Sequence, residues 1–395
     1  MEQGADISSP RLLSPTLSCS EVEVTSSADE PVAVECRLLY LVGQLGLGGL
    51  ERQLYDLLQV MDRKRYKPTV AVWGNAPDEH YVECIRALGI PVVHLGVNPS
   101  RLAKFRALRR LVAELQPEVI HSYTFHTNFA AWWAARGTAT IPIGSSQNTF
   151  SSERRATGQV LGRLCGQFPS GQVYNSFNAE REAKFSATLF RPSRIYVVTN
   201  GVDLVKFCHQ EHPQQGYILA VGNLFLRKRW DRLIRAVAHL AANGICPEVL
   251  HVGSGPLKEE LEAMAKRLRV EHLFRFLGAR QDLPTLLGGA AFLAHSAEVE
   301  GCPNVVLEAM ACGRAVVATD AGDIPYLVEN GKTGFVVPQW DETALADCIA
   351  TLLKNRELRC QMGDAGRRKA EQAFGLDRFR SEILAAYLAE GWEDR

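Results

Sequence analysis

The chain has 395 residues, 46% of them apolar and 22% charged. That is a globular composition of about two domains, and it excludes a wholly disordered chain or a collagen-like fibre. The 44 basic and 44 acidic residues cancel, which argues against a partner such as nucleic acid held by bulk charge.

The cancellation hides an asymmetry. Residues 1–35 carry one Arg against seven acids, residues 36–200 carry 20 basic against 11 acidic, and residues 201–395 carry 23 against 26. The first 35 residues are rich in Ser, Pro and Glu without periodicity and read as a disordered acidic tail. No apolar run approaches the ~20 residues of a membrane span, and no charged start leads into an apolar leader. The ten cysteines are scattered and never form C-x-x-C. They suggest reduced, buried thiols and a cytoplasmic protein rather than zinc or disulfides.

From Cys36 the pattern alternates. "RLLYLVG" is strand-like, "LERQLYDLLQVM" helical, "TVAVWG" a strand, "YVECIRALG" a helix closed by Gly89, and "PVVHLG" a strand. "RLAKFRALRRLVAEL" is a helix and "EVIHS" a strand. After a junction at "VVTNGVD" the alternation restarts with "GYILAVGN", "DRLIRAVAHLAA", "PEVLHVGSG", "LKEELEAMAKRL", "LFRFLG", "AAFLAHS" and "RAVVATD". The expected class is α/β: two doubly wound, Rossmann-like parallel sheets, over residues 36–199 and 200–375. A closing segment, 376–395, has Leu376, Phe379, Ile383 and Tyr387 at helical spacing. Ligands of such sheets sit beyond the carboxyl ends of the strands, so the strand-to-helix turns are where chemistry is expected.

Three turns stand out. The first strand ends in "GQLGLGGLERQL", where Gly46, Gly48 and Gly49 permit a tight turn and close backbone approach. Glu51 stands where a dinucleotide fingerprint has its third Gly, so the turn alone reads equally well as a tight connection. Gly253-Ser254-Gly255-Pro256 forms a second, with Pro256 suited to a helix start. The third is "EGCPNVVLEAMACG". Pro303 at a helix start leaves the amides of Asn304, Val305 and Val306 open to a phosphate. Glu300 before that helix and Glu308 inside it lie eight positions apart and suit the vicinal hydroxyls of one long ligand. Two acids alone are more readily a capping residue and a solvated one.

The context resolves this. "EGCPNVVLEAMACG" with its continuation "RAVVATDAGDIPYLVENGKTGFVV" resembles the E-x7-E signature of the family 4 retaining glycosyltransferases, which have the GT-B fold. "GLGGLER", "VIHSYTFHTNFAAWWAAR", "VYNSFNAERE", "VVTNGVD", "LAVGNLFLRKRWDRLIRA" and "HVGSGPLKEEL" resemble the family's other landmarks in order, from about residue 38 to 375.

The resemblance implies roles. Glu308 would bind the ribose of a nucleotide-sugar donor, and Glu300 would contact the donor sugar. Lys228 with a nearby base, Arg227, would hold the diphosphate, and Gly48 and Gly49 would close over it. Asn223, Gly253, Arg280, Pro303, Asn304 and Val305 complete the donor site, with Arg280 near the base. The implied reaction is retaining transfer of a sugar from a nucleoside diphosphate to an acceptor hydroxyl, of a glycan, a lipid-linked or a small molecule. It would need neither metal nor cofactor, and no Asp-x-Asp occurs in the chain. The last helix would return to the first domain.

Four positions depart from the pattern: Asn223 replaces a frequent Arg, Cys302 an aromatic, Tyr326 a Glu, and Tyr123 a second His. The last leaves His126, at the mouth of the first domain, as the active-site histidine, while His121 reads as a core residue. A nucleotide-sugar epimerase or glycosyl phosphorylase on the same fold is the alternative enzyme. A non-catalytic nucleotide-sugar-binding protein is the alternative of another class. The basic helix "RLAKFRALRRLVAEL", with an apolar stripe of Leu102, Phe105, Leu108, Leu111 and Leu115, reads either as an ordinary surface helix or as a peripheral contact with the anionic cytosolic membrane face.

Overall fold

Short apolar runs alternating with amphipathic ones give the chain its parallel sheets. The computed structural model describes residues 35–74, 79–96, 100–186 and 188–394. The acidic tail expected over residues 1–35 lies outside them except for Glu35.

The first sheet holds β1 Cys36–Val42, β2 Tyr66–Val72, β3 Val92–His94, β4 Val119–Ser122, β5 Ile141–Ser146, β6 Gly171–Tyr174 and β7 Arg194–Val197. The second holds β8 Tyr217–Val221, β9 Val249–Val252, β10 Phe274–Phe276, β11 Ala290–His295, β12 Val316–Thr319 and β13 Gly334–Val337. All pairings are parallel. The spatial orders are β3-β2-β1-β4-β5-β6-β7 and β10-β9-β8-β11-β12-β13. Each order reverses once, between β1 and β4 and between β8 and β11. A crevice opens at each reversal, because the flanking connections leave toward opposite faces.

The central strands are buried on both faces, as parallel sheets require. All six residues of β11 are buried. The helix Trp230–Ala242 covers one face of the second sheet with Leu233, Ile234, Val237 and Leu240. The helix Asn304–Ala311 covers the other with Val306, Leu307 and Met310. Each such side chain contributes roughly 1.5–3 kcal/mol. The C-terminal helix Leu376–Ala389 leaves this half: Phe379, Ile383 and Tyr387 lie in one core with Tyr40, Val42 and Val119 of the first sheet.

Two local expectations shift by a residue or two. Pro303 is the N-cap of the Asn304–Ala311 helix rather than its first residue, and its carbonyl accepts from Val306 N at 3.1 Å. Only the amides of Asn304 and Val305 therefore remain open. Pro256 lies two residues before the helix Lys258–Arg267, whose N-cap is Leu257.

Specific polar contacts tie the two halves together. Gln53 clasps the junction: its Nε2 donates to Gly201 O at 2.8 Å and its Oε1 accepts from Gly201 N at 2.9 Å. Arg378 donates to the carbonyls of Thr199 and Asn200 at 3.0 and 2.9 Å. Asp323, buried in the second half, accepts from Ser176 Oγ, Phe177 N and Asn178 N at 2.8–2.9 Å. It thus caps the helix Phe177–Phe185 of the first half.

Candidate active site

The crevice of the second sheet is built from the turns after β8 and β11, its reversal strands. The turn after β8 runs through a short 3-10 helix, Leu226–Lys228, and ends in a left-handed Arg229 at φ 49°. The turn after β11 carries Glu298 and Glu300, and its backbone is tied to the first by Glu298 N donating to Arg227 O at 2.9 Å.

Lys228 Nζ forms an ion pair with Glu300 Oε1, and His295 Nε2 meets the same oxygen at 2.9 Å. Burial alone would raise the Glu300 carboxyl, but the Lys228 ammonium and the His295 hydrogen bond outweigh it and hold the group below the ordinary carboxylate range. Burial lowers the His295 imidazole, with Glu300 opposing. The neutral ring then carries its proton on Nε2 and donates it to the carboxylate. His295 Nδ1 is buried without a partner. The result is a fixed negative group beside a fixed positive one at the mouth of the crevice.

One helical turn deeper, Glu308 is 2% exposed and pairs with Arg52, which reaches across from the first half. Between the two acids lie the open amides of Asn304 and Val305, backed by the positive end of the helix. Asn304 bridges the halves: its Oδ1 accepts from Asn200 Nδ2 at 2.6 Å and its Nδ2 donates to Gly49 O at 3.1 Å. The glycine turn thus lies against the start of this helix, and a Cβ on Gly49 would come within 3.0 Å of Asn304 Nδ2. Gly48 is the N-cap of the helix Gly49–Gln59; a Cβ there would strike the Glu51 carboxylate at 2.1 Å.

The remaining predicted residues lie around this centre. Asn223 is exposed, and its carbonyl accepts from Trp230 Nε1 at 3.1 Å. Gly253, at φ 141°, closes the turn after β9: its amide donates to Gly278 O at 2.8 Å, and a Cβ would meet Gly222 O. Arg280, two residues past Gly278, is exposed and paired with Asp282 at 2.6–2.8 Å. Arg227 is exposed with its guanidinium 6.0 Å from the Phe225 ring.

The first sheet contributes less chemistry. His126 follows β4 with its ring against Gly43 at the end of β1. Among the described residues no contact joins it to Lys228, Glu300 or Glu308. His121 is buried and satisfied at both nitrogens, by Tyr387 Oη at 2.7 Å and Ser145 Oγ at 2.8 Å. The turns after β5 and β6 do face the donor half, since a Cβ on Gly301 would come within 2.9 Å of Gln147 O and 3.1 Å of Asn175 Oδ1.

Two participants were not singled out from the sequence. His295 had no local signal, because its partner Glu300 is brought to it only by the turn. Arg52 had one: a cation in the first turn of a helix opposes the dipole, so it calls for a partner elsewhere.

One group among the described residues has metal-ligand chemistry, His209, His212 and Asp364, outside the crevice. Both Nε2 atoms meet Asp364 Oδ1, at 3.0 and 2.9 Å. His212 Nδ1, however, faces Arg314 Nη1 at 3.4 Å. An arginine only donates, so the His212 proton sits on Nε2 and leaves no lone pair for a metal. The group is a brace between chain segments.

Two parallel α/β sheets, each reversing its strand order once, are the architecture of the GT-B glycosyltransferases. The comparisons agree. The glycosyl transferases group 1 model matches residues 204–369 and the glycosyltransferase family 4 model residues 47–206. The chain belongs to the family 4 glycosyltransferases. It is 27% identical over 371 residues to a phosphatidyl-myo-inositol mannosyltransferase of Mycobacterium leprae, covering 86% of this chain and 92% of that protein. It is 29% identical over 170 residues to the N-acetyl-alpha-D-glucosaminyl L-malate synthase of Bacillus anthracis, covering 43% of this chain and 44% of that protein. In fold it is similar to Anabaena HepE, solved in complex with UDP-glucose, with a TM-score of 0.76, 22% identity, and coverage of 89% of this chain and 99% of that one.

Proposed function

We propose that this glycosyltransferase moves a sugar from a nucleoside-diphosphate donor to an acceptor hydroxyl with retention of configuration and without a metal. The observation that carries the reading is the alignment of groups along one crevice. Glu300 with Lys228 stands at its mouth, the amides of Asn304 and Val305 lie between, and Glu308 lies one helical turn inside. Glu308 suits the paired ribose hydroxyls, and Glu300 the hydroxyls of the transferred sugar. Lys228 and the helix start oppose the charge that develops on the departing diphosphate, where a fixed cation is most effective. HepE, the fold neighbour solved with UDP and with UDP-glucose, supports a donor of this class.

Melting-temperature shifts with UDP-, GDP- and ADP-sugars identify the donor, because a bound ligand stabilises by mass action. With that donor, Glu308→Ala raises the donor KM strongly. Activity in EDTA equals that with magnesium, and the product keeps the donor's anomeric configuration by NMR. Loss of activity in chelator, or an inverted product, refutes the corresponding part. Conversion of donor without any acceptor would instead mark an isomerase, and donor binding without turnover a sensor.

The acceptor side includes the basic helix Arg101–Leu115. Leu108 and Val112 are buried against the sheet and Phe105, Leu111 and Leu115 half-buried, so the stripe is mostly spent on packing. Leu102, 58% exposed, and the exposed Arg101, Arg106, Arg109 and Arg110 face outward. Among the described residues no helix is long and apolar enough to cross a membrane. A basic face of this kind gains about 1 kcal/mol per cation near an anionic bilayer, and supports reversible contact with a membrane carrying a lipid-linked acceptor. Co-sedimentation with anionic but not neutral vesicles, lost in high salt, is the expected result; none with either overturns it.

A further inference from the structure

We infer that Arg52 is a donor-contacting cation that changes partner. It neutralises Glu308 in the empty cleft and turns to the donor diphosphate when ribose hydroxyls take that carboxylate. The inference rests on the reading of Glu308 as the ribose-binding group.

Arg52 is held where this exchange is possible. Gly49, Arg52 and Gln53 occupy one face of the helix Gly49–Gln59, at positions i, i+3 and i+4. Each meets the other half or the junction: Gly49 O accepts from Asn304, Arg52 pairs with Glu308, and Gln53 clasps Gly201. Arg52 therefore projects toward the helix start that receives the phosphates. Its side chain is 21% exposed while that of Glu308 is 2% exposed, so the cation has room to swing and the carboxylate does not. Its Nε lies 3.9 Å from Asp56 Oδ2 and its guanidinium 5.9 Å from the Phe207 ring, which support the stem.

Charge accounting points the same way. The crevice of the free protein holds Lys228 on Glu300 and Arg52 on Glu308, which balance. A diphosphate adds negative charge that the two open amides do not neutralise. Three of the other cations of the donor half, Arg229, Arg232 and Arg280, are committed. Arg229 is paired with Asp231 and Glu298 and lies 4.7 Å from the Trp340 ring. Arg232 is buried 4.0 Å from the same ring. Arg280 is on Asp282, and Arg227 is at the exposed edge against Phe225. Glu308 Oε1 lies against the Arg52 guanidinium but has no hydrogen-bond partner among the described residues, so vicinal hydroxyls that donate to it satisfy the carboxylate and leave the Arg52 donors free for phosphate oxygens.

The test separates nucleoside from nucleoside diphosphate. Calorimetric titration uses uridine, guanosine and adenosine with UDP, GDP and ADP, on wild type, Arg52→Met and Arg52→Lys. Arg52→Met keeps the apolar stem beside Phe207, and its melting temperature is measured alongside. The expected result is opposite in sign for the two ligand types. In Arg52→Met the cognate diphosphate binds tenfold or more weakly, having lost a cation. The matching nucleoside binds several-fold more tightly, having lost a competitor for Glu308. Arg52→Lys recovers part of the diphosphate affinity. Both ligands weakening alike, both tightening, or neither changing overturns the exchange. Glu308→Ala tests the underlying reading by itself: if it leaves nucleoside affinity unchanged, the ribose assignment fails whatever Arg52 does.

Discussion

β4 and β11 hold the same place in their sheets, each beside the strand where the order reverses, and each carries a buried histidine near its carboxyl end. Their surroundings differ. His121 of β4 has neutral partners on both nitrogens, Tyr387 and Ser145, and Tyr387 comes from the C-terminal helix that seals this core. His295 of β11 has a carboxylate on one nitrogen, nothing on the other, and a lysine on the far side of that carboxylate. Topology supplies a crevice at both positions. The proposed chemistry uses the one whose polar groups are charged and incompletely satisfied, since such groups gain by meeting a ligand.

The comparison can be broken at four points. Lys228→Ala should lower kcat at saturating donor by about 10²–10³-fold, the usual loss when one transition-state donor is removed, and should also lower the melting temperature, because the buried Glu300 carboxylate keeps only His295. A large fall in melting temperature with kcat intact would make Lys228 structural. His295→Phe should lower kcat by about 10–100-fold, since a hydrogen bond to a charged group is worth roughly 1.5–3 kcal/mol and Glu300 loses its second anchor. The ratio of the two effects sharpens how far Glu300 depends on each partner.

His121→Phe should do the reverse. Orphaning Tyr387 and Ser145 should cost about 1–3 kcal/mol in denaturant unfolding and leave kcat per folded molecule unchanged. The pH profile of stability adds a finer check. Burial pushes the His121 imidazole down to about 3 and that of His251 to about 4. The unfolded chain then binds more protons than the folded one below about pH 6.5. Stability falls as pH drops from 6.5 toward these values, by about 1.4 kcal/mol per pH unit for each ring. Removing His121 should take about 1.4 kcal/mol per pH unit out of the slope between pH 6 and 5, to which Glu153 and Asp56, pushed up by burial to about 7 and about 6, contribute with the opposite sign, and an unchanged slope would place the ring's titration elsewhere.

What the sequence discloses depends on where the signal is carried. β1, β2, β8 and β11 are apolar runs and are legible as strands. β5 contains Pro142, Gly144, Ser145 and Ser146, and β6 and β7 have only four residues each. No local pattern marks β5 and β6, because buried polar residues such as Ser145 and Gln172 are satisfied by tertiary partners, and β7 and β13 are four-residue runs too short to stand out. The acid pair is legible through the signature that surrounds it, since eight positions of spacing alone fit a capping residue and a solvated one. The placement of Lys228 on Glu300 follows from the two turns meeting across the reversal, which the alternation of elements implied. His295 and Arg52 depended on where the halves meet, and that is written in no single segment.

The cap that Asp323 places on the helix Phe177–Phe185 has a consequence for recombining this protein. A chimera that joins residues 35–199 to a foreign second half removes the carboxylate that satisfies Ser176 and the amides of Phe177 and Asn178. The imported half must therefore bring an acid at the same turn, or the recipient helix frays from its first residue. A single crossover at the junction also severs the first core from Phe379, Ile383 and Tyr387. Exchange of donor specificity thus needs two breakpoints, one near residue 200 and one before Leu376, with Ser176 and Asp323 inherited as a pair.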